Sequence, residues 1–455
     1  MICLGEAMSR VASCETIGIR GAVAALRGLT VLVDDLPVVT GALVVVDSSS
    51  GPRTGEVVGF DGGRAVVMLL GQTAGVRAGD RVRLVGASPQ VRVGASMLGR
   101  VVDALGRPID DGPALRDLSG RPLSPDPVTA MKRRRITEPL RTGVRAIDLF
   151  NTVGRGQRLG VFAGPGVGKS TLMGMIARRS AADVNVIGLI GERGREVKDF
   201  IEHALGVEGM RRSVVVVATG DESPLMRVRA AMAACAAAEH FRDRGLDVML
   251  MLDSVTRFAH AQRQVGLAVG EPPATKGYTP SVFAMLPLLL ERAGAIEVGV
   301  NGGRAGSITG FYTILVEGDD MTEPIADAAR GILDGHLVLS RRLAHKGHFP
   351  AVDPLDSVSR LMSEVADAEH NTARRRLVSL LAAHREAEDL IQIGAYAPGS
   401  NPTTDAAIQF KPRIDAMLQQ RVDEAEPFDV ARARMVALSN EATAFGAAAE
   451  KIRKK

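Results

Sequence analysis

The sequence predicts an α/β protein with an N-terminal small β-barrel, a central domain with a mostly parallel sheet, and a C-terminal helical domain. Short apolar runs between Gly, Pro, Asp and Ser clusters fill the N-terminal part. Continuous apolar runs then alternate with helical stretches, and long Ala-, Glu- and Arg-rich stretches fill the end. At 455 residues the chain exceeds one ordinary core. We expect domains at residues 1–92, 93–365 and 366–455.

The N-terminal domain is predicted from five short strands at regular spacing, which is typical of a small β-barrel. A linker rich in Pro, Gly and Asp, residues 108–127, separates it from the central domain. The predicted strands are Thr30–Val33, Ala42–Val46, Glu56–Phe60, Ala65–Leu70 and Arg81–Val85.

The central domain is predicted to be doubly wound, because its apolar runs are continuous, as parallel strands covered on both faces require. These runs are Val161–Ala163, Val184–Ile190, Val214–Thr219 and Val248–Leu252. The helical stretches between them are Lys169–Ala182, Arg195–Leu205 and Leu225–Arg244. After about Leu361 the strand pattern stops, and the predicted C-terminal helices are Leu361–Ile393, Thr404–Gln420 and Val430–Lys451.

Composition argues against nucleic-acid binding and membrane insertion. The net charge is only +4, and the chain has no Trp and three Tyr, whereas single-stranded nucleic acids usually stack on aromatic side chains. The three cysteines, Cys3, Cys14 and Cys235, show no metal-ligand spacing and fit a reduced compartment. No apolar run approaches the ~18 residues that span a bilayer, and the first residues do not show the basic region and apolar stretch typical of a signal peptide. We therefore expect a cytoplasmic protein that meets the membrane only through partners.

A phosphate-binding loop is the strongest motif. It follows the apolar strand Leu159–Phe162 and precedes a helix, the context that a Walker A motif requires. Backbone N–H groups of such a loop surround phosphate oxygens. Lys169 is predicted to reach the β- and γ-phosphates, and the Ser170 hydroxyl to ligate Mg²⁺. Ala163 stands where the strict pattern has Gly. The predicted ATP-binding residues of the loop are Gly164, Pro165, Gly166, Val167, Gly168, Lys169, Ser170 and Thr171.

Two carboxylates are the candidates for metal binding and for proton transfer. Asp253 ends the apolar run Val248–Leu252, the arrangement of a Walker B acid, and is predicted to hold Mg²⁺ through its water shell. Glu192 follows the run Val184–Ile190 and is predicted to be the general base, with Glu196 as the alternative. Arg193, next to Glu192, is a further catalytic candidate.

The segment Pro350–Ser359 resembles the α/β-subunit signature of rotary ATPases, with Arg360 directly after it, and Gly191–Glu196 resembles their catalytic-glutamate loop. The resemblance implies a RecA-like ATPase domain. It also implies that Arg360 is an arginine finger for a neighbouring subunit and that Phe349 lines the adenine pocket. Tyr396 is a second adenine-contacting candidate by a looser match.

Within that superfamily, three runs are similar to bacterial type III export ATPases: Gly191–Phe200, Gly270–Tyr278 and Val316–Asp327. The stretch Ile393–Ser400 is closer to the flagellar branch. The resemblance implies a homohexameric ATPase that uses Mg-ATP to energise flagellar protein export at the base of the export apparatus. Implied partners are the export gate, chaperones and export substrates, a stator-like regulator, and a stalk-like coiled-coil protein in the pore.

Alternative functions remain open at this point. One is a virulence type III secretion ATPase, and another is the catalytic subunit of a rotary ATPase. An RNA-translocating hexameric helicase would need exposed aromatics in its barrel, yet residues 1–90 contain Phe60 alone among aromatics. A non-catalytic ring subunit usually lacks part of the catalytic set that this chain retains.

The first fourteen residues are the candidate docking segment for the regulator. Leu4, Met8 and Val11 fall at helical spacing, with polar residues mostly on the opposite side. Gly5 weakens such a helix by roughly 1 kcal/mol relative to Ala. The family resemblance implies that this segment binds the regulator as an amphipathic helix, and a terminus without a partner is the alternative.

Overall fold

A computed structural model describes residues 18–297, 306–316, 318 and 320–453 of the chain. The predicted docking helix within residues 2–14 lies outside the described residues. Among those that are described, no helix is long and apolar enough to cross a membrane.

The N-terminal domain is a closed six-stranded barrel, as the fold class predicted. The strands follow one another around the barrel in the order β1, β2, β5, β4, β3, β6, and all pairs are antiparallel. Valines that alternate along the strands fill its interior. The first strand was not predicted, because small and exposed residues hide its period. The strands are β1 Arg20–Arg27, β2 Thr30–Asp34, β3 Leu43–Ser48, β4 Gly51–Asp61, β5 Arg64–Leu69 and β6 Arg81–Gly86.

A short connecting region joins the barrel to the central sheet. It contains an antiparallel ribbon of β7 (Gln90–Val93) and β9 (Ser119–Pro122), so the predicted linker includes a strand. Between them, β8 (Arg100–Asp103) already belongs to the central sheet. Single 3₁₀ turns occur at Ala95–Met97 and Ala130–Lys132.

Within the described residues, the central sheet has nine strands and is parallel except for two short antiparallel strands, which confirms the mostly parallel sheet. Its order is β19, β18, β12, β17, β15, β13, β14, β8, and β16 pairs with β17. A two-stranded ribbon of β10 (Pro139–Leu140) and β11 (Val153–Gly154) lies apart from it. The remaining strands are β12 Arg158–Ala163, β13 Val184–Ile190, β14 Ser213–Ala218, β15 Asp247–Asp253, β16 Gly294–Ala295, β17 Ser307–Leu315, β18 Gly335–Leu339 and β19 Val358–Ser359.

Helices cover both faces of this sheet, and a buried apolar cluster lies on each side. The stretch predicted as one helix over Arg195–Leu205 contains a π-helical turn, Phe200–Leu205, between the helices Gly194–Asp199 and Gly206–Arg211. A single 3₁₀ turn occurs at Thr275–Gly277. The helices are α1 Arg145–Phe150, α2 Lys169–Arg179, α3 Gly194–Asp199, α4 Gly206–Arg211, α5 Pro224–Arg242, α6 Val255–Ala268, α7 Pro280–Leu290, α8 Pro324–Ile332, α9 Arg341–His345 and α10 Met362–Val365.

The C-terminal part is helical, as predicted, and consists of α11 (Ala368–Gln392), α12 (Pro402–Leu418) and α13 (Phe428–Arg453). Its apolar side chains belong to the same buried cluster as Leu172 and Met175 of α2. The C-terminal helices therefore share a core with the helix that follows the phosphate-binding loop. The domain boundaries at residues 92/93 and 365/366 stay predictions.

Candidate functional site

The phosphate-binding loop leaves the carboxyl end of β12, which lies between β17 and β18 in the middle of the sheet. Gly166 and Gly168 have φ angles of 78° and 89°, a left-handed conformation that glycine adopts without a steric penalty. Helix α2 begins directly at Lys169. The loop and the positive end of this helix therefore present backbone N–H groups to an anion.

Lys169, Glu192 and Asp253 meet beside this loop. Lys169 Nζ forms an ion pair with Oδ1 of Asp253 and lies 3.4 Å from Oε1 of Glu192. The exposed fractions of the Lys169, Glu192 and Asp253 side chains are 14%, 13% and 4%. Strands β13 and β15 are parallel neighbours, so the residues at their carboxyl ends share one edge of the sheet. The predicted proximity of these three side chains is confirmed, while their roles stay predictions.

Burial and neighbouring charges change the acidity of two of these groups. Burial and the neighbouring Asp253 carboxylate raise the pKa of Glu192, and the Lys169 ammonium lowers it. Burial is the largest of these effects, so the pKa of Glu192 lies above its ordinary value. For Lys169, burial acts to lower the pKa, and the two carboxylates more than offset it, so the pKa is raised. Lys169 is therefore held as a cation, and the Glu192 carboxylate is more basic than an exposed one.

Thr313 is a site residue that sequence reasoning missed. It lies on β17, between the strand of the phosphate loop and the strand of Asp253. Its Oγ1 donates a hydrogen bond of 2.7 Å to Oδ1 of Asp253, so it helps to fix that carboxylate. A hydroxyl residue near the end of an apolar strand could have indicated it in the sequence. That strand, Ser307–Leu315, was not among the predicted strands.

Three further side chains line the cleft around Glu192. Arg193 is 86% exposed, and its Nη1 lies 3.5 Å from Oε1 of Glu196. Arg257, which was not predicted, also lines the cleft, and its positive charge acts to lower the pKa of Glu192. A hydrogen bond with Glu196 acts in the opposite direction. Glu196 therefore neighbours Glu192 and pairs with Arg193.

A second depression opens beyond the phosphate loop, where Phe349 is 45% exposed. A Cβ atom placed on Gly168 would lie 3.6 Å from the Phe349 ring, so this ring borders the end of the loop. Gly168 and Thr171 line both depressions, which are therefore adjacent, and together we call them the cleft. Its outer wall is residues 419–424, a segment that the sequence did not single out.

Tyr396 does not lie beside Phe349. It follows α11, and its hydroxyl contacts Oδ1 of Asp405 at 3.0 Å near the start of α12. Ala416, which lines the Phe349 cleft, lies eleven residues farther along that helix, about 16 Å at 1.5 Å per residue. The looser match had placed Tyr396 near adenine, but the structure places it at the other end of α12. An adenine contact within this subunit would require a rearrangement of the C-terminal helices.

Arg360 lies at the opposite edge of the sheet from the phosphate loop. It directly follows β19, and its backbone N–H donates to the carbonyl of Asp334, at the amino end of β18. The phosphate loop leaves the carboxyl end of β12, where Ala163 pairs with Leu339. The five residue steps from Asp334 to Leu339 span about 16 Å. Arg360 is exposed, and its Nη2 donates a hydrogen bond of 3.2 Å to the Arg330 carbonyl in the last turn of α8. Its backbone therefore lies about 16 Å along the sheet from the phosphate loop of its own chain.

Sequence families match all three parts of this architecture. The β-barrel domain of the ATP synthase alpha/beta family matches residues 23–86, and its nucleotide-binding domain matches residues 143–359. The C-terminal domain of the type III secretion ATPase EscN matches residues 366–437. The chain belongs to the ATP synthase alpha/beta family.

Within this family, the chain is similar to flagellar and type III secretion proteins. It is 49% identical to a flagellum-specific ATP synthase of Pseudomonas aeruginosa, over 92% of this chain and 93% of that protein. It is 50% identical to a type 3 secretion system ATPase of Xanthomonas euvesicatoria, over 82% and 83% of the two chains. The structure of assembled EscN with its central stalk EscO, from enteropathogenic E. coli, superimposes with a TM-score of 0.84. It is 39% identical, and the match covers 92% of this chain and all of that one.

Proposed function

We propose that this family member is the ATPase of a flagellar type III protein export apparatus, a hexameric ring that hydrolyses Mg-ATP between adjacent subunits. The observation that carries the proposal is the buried cluster of Lys169, Glu192 and Asp253 at the mouth of a phosphate-binding loop. The loop supplies anion binding, the lysine a fixed cation, and the two carboxylates a metal ligand and a base.

The residues present fit an Mg²⁺ ion that arrives with the nucleotide. Among the described residues, no group of three or more His, Cys, Asp or Glu side chains could hold a metal by itself. Magnesium in nucleotide sites is usually held by one or two protein ligands together with phosphate oxygens and waters. Asp253, fixed by Thr313, and the hydroxyl of Ser170 would supply the protein ligands. The ion would neutralise charge on the phosphates.

Hydrolysis then requires a positioned water and a place for its proton. Glu192 would accept the proton from water as the water oxygen attacks the γ-phosphorus and the bond to the β-phosphate oxygen breaks. Its raised pKa suits a base that works near neutral pH. Lys169, now paired with both carboxylates, would contact the β- and γ-phosphates, which carry more negative charge.

Two substitutions test the phosphate site. Lys169→Ala should abolish ATP binding, because it removes the cation that faces the triphosphate. Glu192→Gln should retain ATP but lower the turnover rate about 10²–10⁴-fold, the usual contribution of a general base. Equilibrium ATP binding and phosphate release, measured on both variants, check this. Near wild-type turnover by Glu192→Gln would exclude Glu192 as the base and leave Glu196 as the candidate.

The export role is supported by the names of the relatives and by the flagellar-like stretch Ile393–Ser400. We propose a cytoplasmic ring at the base of the export apparatus, with a stalk-like protein in its pore. The export gate, chaperones and export substrates would be further partners, and residues 2–14 would bind a stator-like regulator. Deletion of the gene should abolish motility, and the wild-type gene, but not one encoding Glu192→Gln, should restore it. Motile cells without the gene would refute the flagellar assignment.

A virulence type III secretion ATPase is the second candidate, favoured by the 50% identity to the Xanthomonas protein. The deletion strain distinguishes the two functions, because loss of secreted effectors with normal motility would indicate the secretion system. Both functions use the same ATP site.

A further inference from the structure

The outer wall of the nucleotide cleft is a loop of the C-terminal domain, residues 419–426, which we call the base loop. Its residues 419–424 line the depression that contains Phe349. The backbone N–H of Gln420 donates a hydrogen bond of 3.0 Å to the Phe349 carbonyl. Any group that binds against the exposed Phe349 ring, on the far side of the phosphate loop, therefore lies next to the base loop.

Arg145 of α1 holds this loop from the central domain. The Arg145 side chain is 6% exposed. Its Nε donates to the Met417 carbonyl at 3.0 Å, and one of its terminal nitrogens donates to the Gln419 carbonyl. The other forms ion pairs with Glu424 and, at 3.1 Å, with Glu426. Within the described residues, the hydrogen bonds and ion pairs of the Arg145 side chain thus go to the end of α12 and to the base loop.

Gln420 completes the attachment. It is 5% exposed, and its Oε1 accepts a 2.8 Å hydrogen bond from the backbone N–H of Arg145. Its Nε2 donates to the Gly143 carbonyl at 2.9 Å. Arg179, in the last turn of the helix that starts at Lys169, donates to the Val422 carbonyl at 2.6 Å. These contacts cross about 240–280 residues of sequence, so the central domain anchors the loop in addition to the helices that flank it, from which Arg434 pairs with Glu426 at 2.8 Å.

We infer that Arg145 is a positioning residue for the nucleotide's base: it fixes the base loop as the wall that faces Phe349, while taking no part in phosphate binding or hydrolysis. The inference rests on the proposed ATPase function. The Arg145 guanidinium contacts two backbone carbonyls and two carboxylates at the same time. Because its donors have a fixed planar geometry, these contacts specify one position of the loop, whereas a single point charge such as a lysine ammonium would allow several. Without it, the phosphate end of the cleft remains intact and the base end loses its wall.

The test compares ATP with inorganic tripolyphosphate, which has the phosphates but no base. Arg145→Ala should weaken Mg-ATP binding by about tenfold or more, because a buried charged network that orders the wall is lost. Binding of Mg-tripolyphosphate should stay within about twofold of wild type, since it needs only the phosphate loop. In steady-state hydrolysis KM for ATP should rise, while kcat at saturating ATP changes by less than about threefold. A wild-type protein that does not bind Mg-ATP would contradict the proposed function. The ratio of the ATP and tripolyphosphate affinities, compared between variant and wild type, tests this inference.

Arg292→Ala is the matched control. Arg292 is 8% exposed, pairs with the equally buried Glu239, and contacts two backbone carbonyls away from the cleft. It should leave the ratio of the two affinities unchanged even if it lowers the melting temperature. Arg145→Ala removes a buried charged side chain, so a second variant guards against a loss of folded protein. Glu424→Ala, on the partly exposed side of the network, should shift the same ratio in the same direction. Equal losses of ATP and tripolyphosphate binding, or an unchanged ATP affinity in both variants, would overturn the inference.

Discussion

Arg360→Ala should bind ATP normally but turn it over at least about 10³-fold more slowly, the contribution of an arginine finger supplied by a neighbouring subunit. If Arg360 acted only on the phosphates of its own chain, its removal would lower the rate far less. Arg360 lies about 16 Å from the level at which β12 passes into the phosphate loop. At that distance two unit charges interact by only about 1 kcal/mol at an effective dielectric constant of 20, or about fivefold in rate. A loss of three decades therefore requires a second subunit.

Arg330→Ala is the control for this measurement. Its carbonyl accepts a hydrogen bond of 3.2 Å from Arg360 Nη2, and its guanidinium pairs with the exposed carboxylate of Asp327. It therefore removes a cation from the same neighbourhood without removing the proposed finger. Phosphate release at saturating ATP should fall far less in Arg330→Ala than in Arg360→Ala. Specific activity of the wild type should also rise with protein concentration as rings assemble.

Mixed rings provide the decisive measurement. Arg360→Ala subunits keep an intact pocket, and Glu192→Gln subunits keep an intact Arg360. In randomly mixed head-to-tail rings at equal ratio, about a quarter of the interfaces combine the two intact halves, so up to about a quarter of wild-type activity should return. The reasoning would be refuted by a loss of about fivefold or less in Arg360→Ala. It would equally be refuted if mixed rings, verified by mass spectrometry, recovered no activity.

Two further predictions concern pH. Because burial raises the pKa of Glu192, the acid limb of the kcat/KM profile should lie above pH 4.5. Arg257→Gln removes a charge that lowers this pKa and should move the limb to higher pH, whereas Glu196→Ala removes a hydrogen bond that raises it and should move the limb to lower pH. Initial rates measured across pH check both shifts. Shifts in the same direction would contradict this assignment. Burial, with the charge of Arg244, lowers the pKa of His240 to about 4, and neither ring nitrogen has a hydrogen-bond partner among the described residues. The unfolded chain therefore binds a proton between about pH 6.5 and 4 that the folded protein does not, and stability falls as pH decreases through this window. Urea unfolding of His240→Leu should show a smaller fall, and an equal fall would exclude His240 as its source.

Much of the catalytic cleft was predictable because it depends on local pattern and on the direction of parallel strands. Glycines before a helix predicted the phosphate loop, and continuous apolar runs predicted β13 and β15. Since neighbouring parallel strands end at one edge, Glu192 and Asp253 were expected beside Lys169, and the ion pairs confirm it. The strands β1, β17 and β18 were missed, because small or polar residues interrupt their apolar character.

The sequence by itself determined the fold class, the phosphate loop and the two carboxylates at strand ends, because these follow from periodicity and chain direction within short segments. Only the tertiary structure decided which distant segments meet. It inserted β17 beside β15 and so brought Thr313 to Asp253, and it placed the base loop against Arg145, 275 residues away from Gln420 in the chain. It also put Arg360 at the far edge of the sheet. Such contacts arise from side-chain packing between elements, which no local pattern encodes.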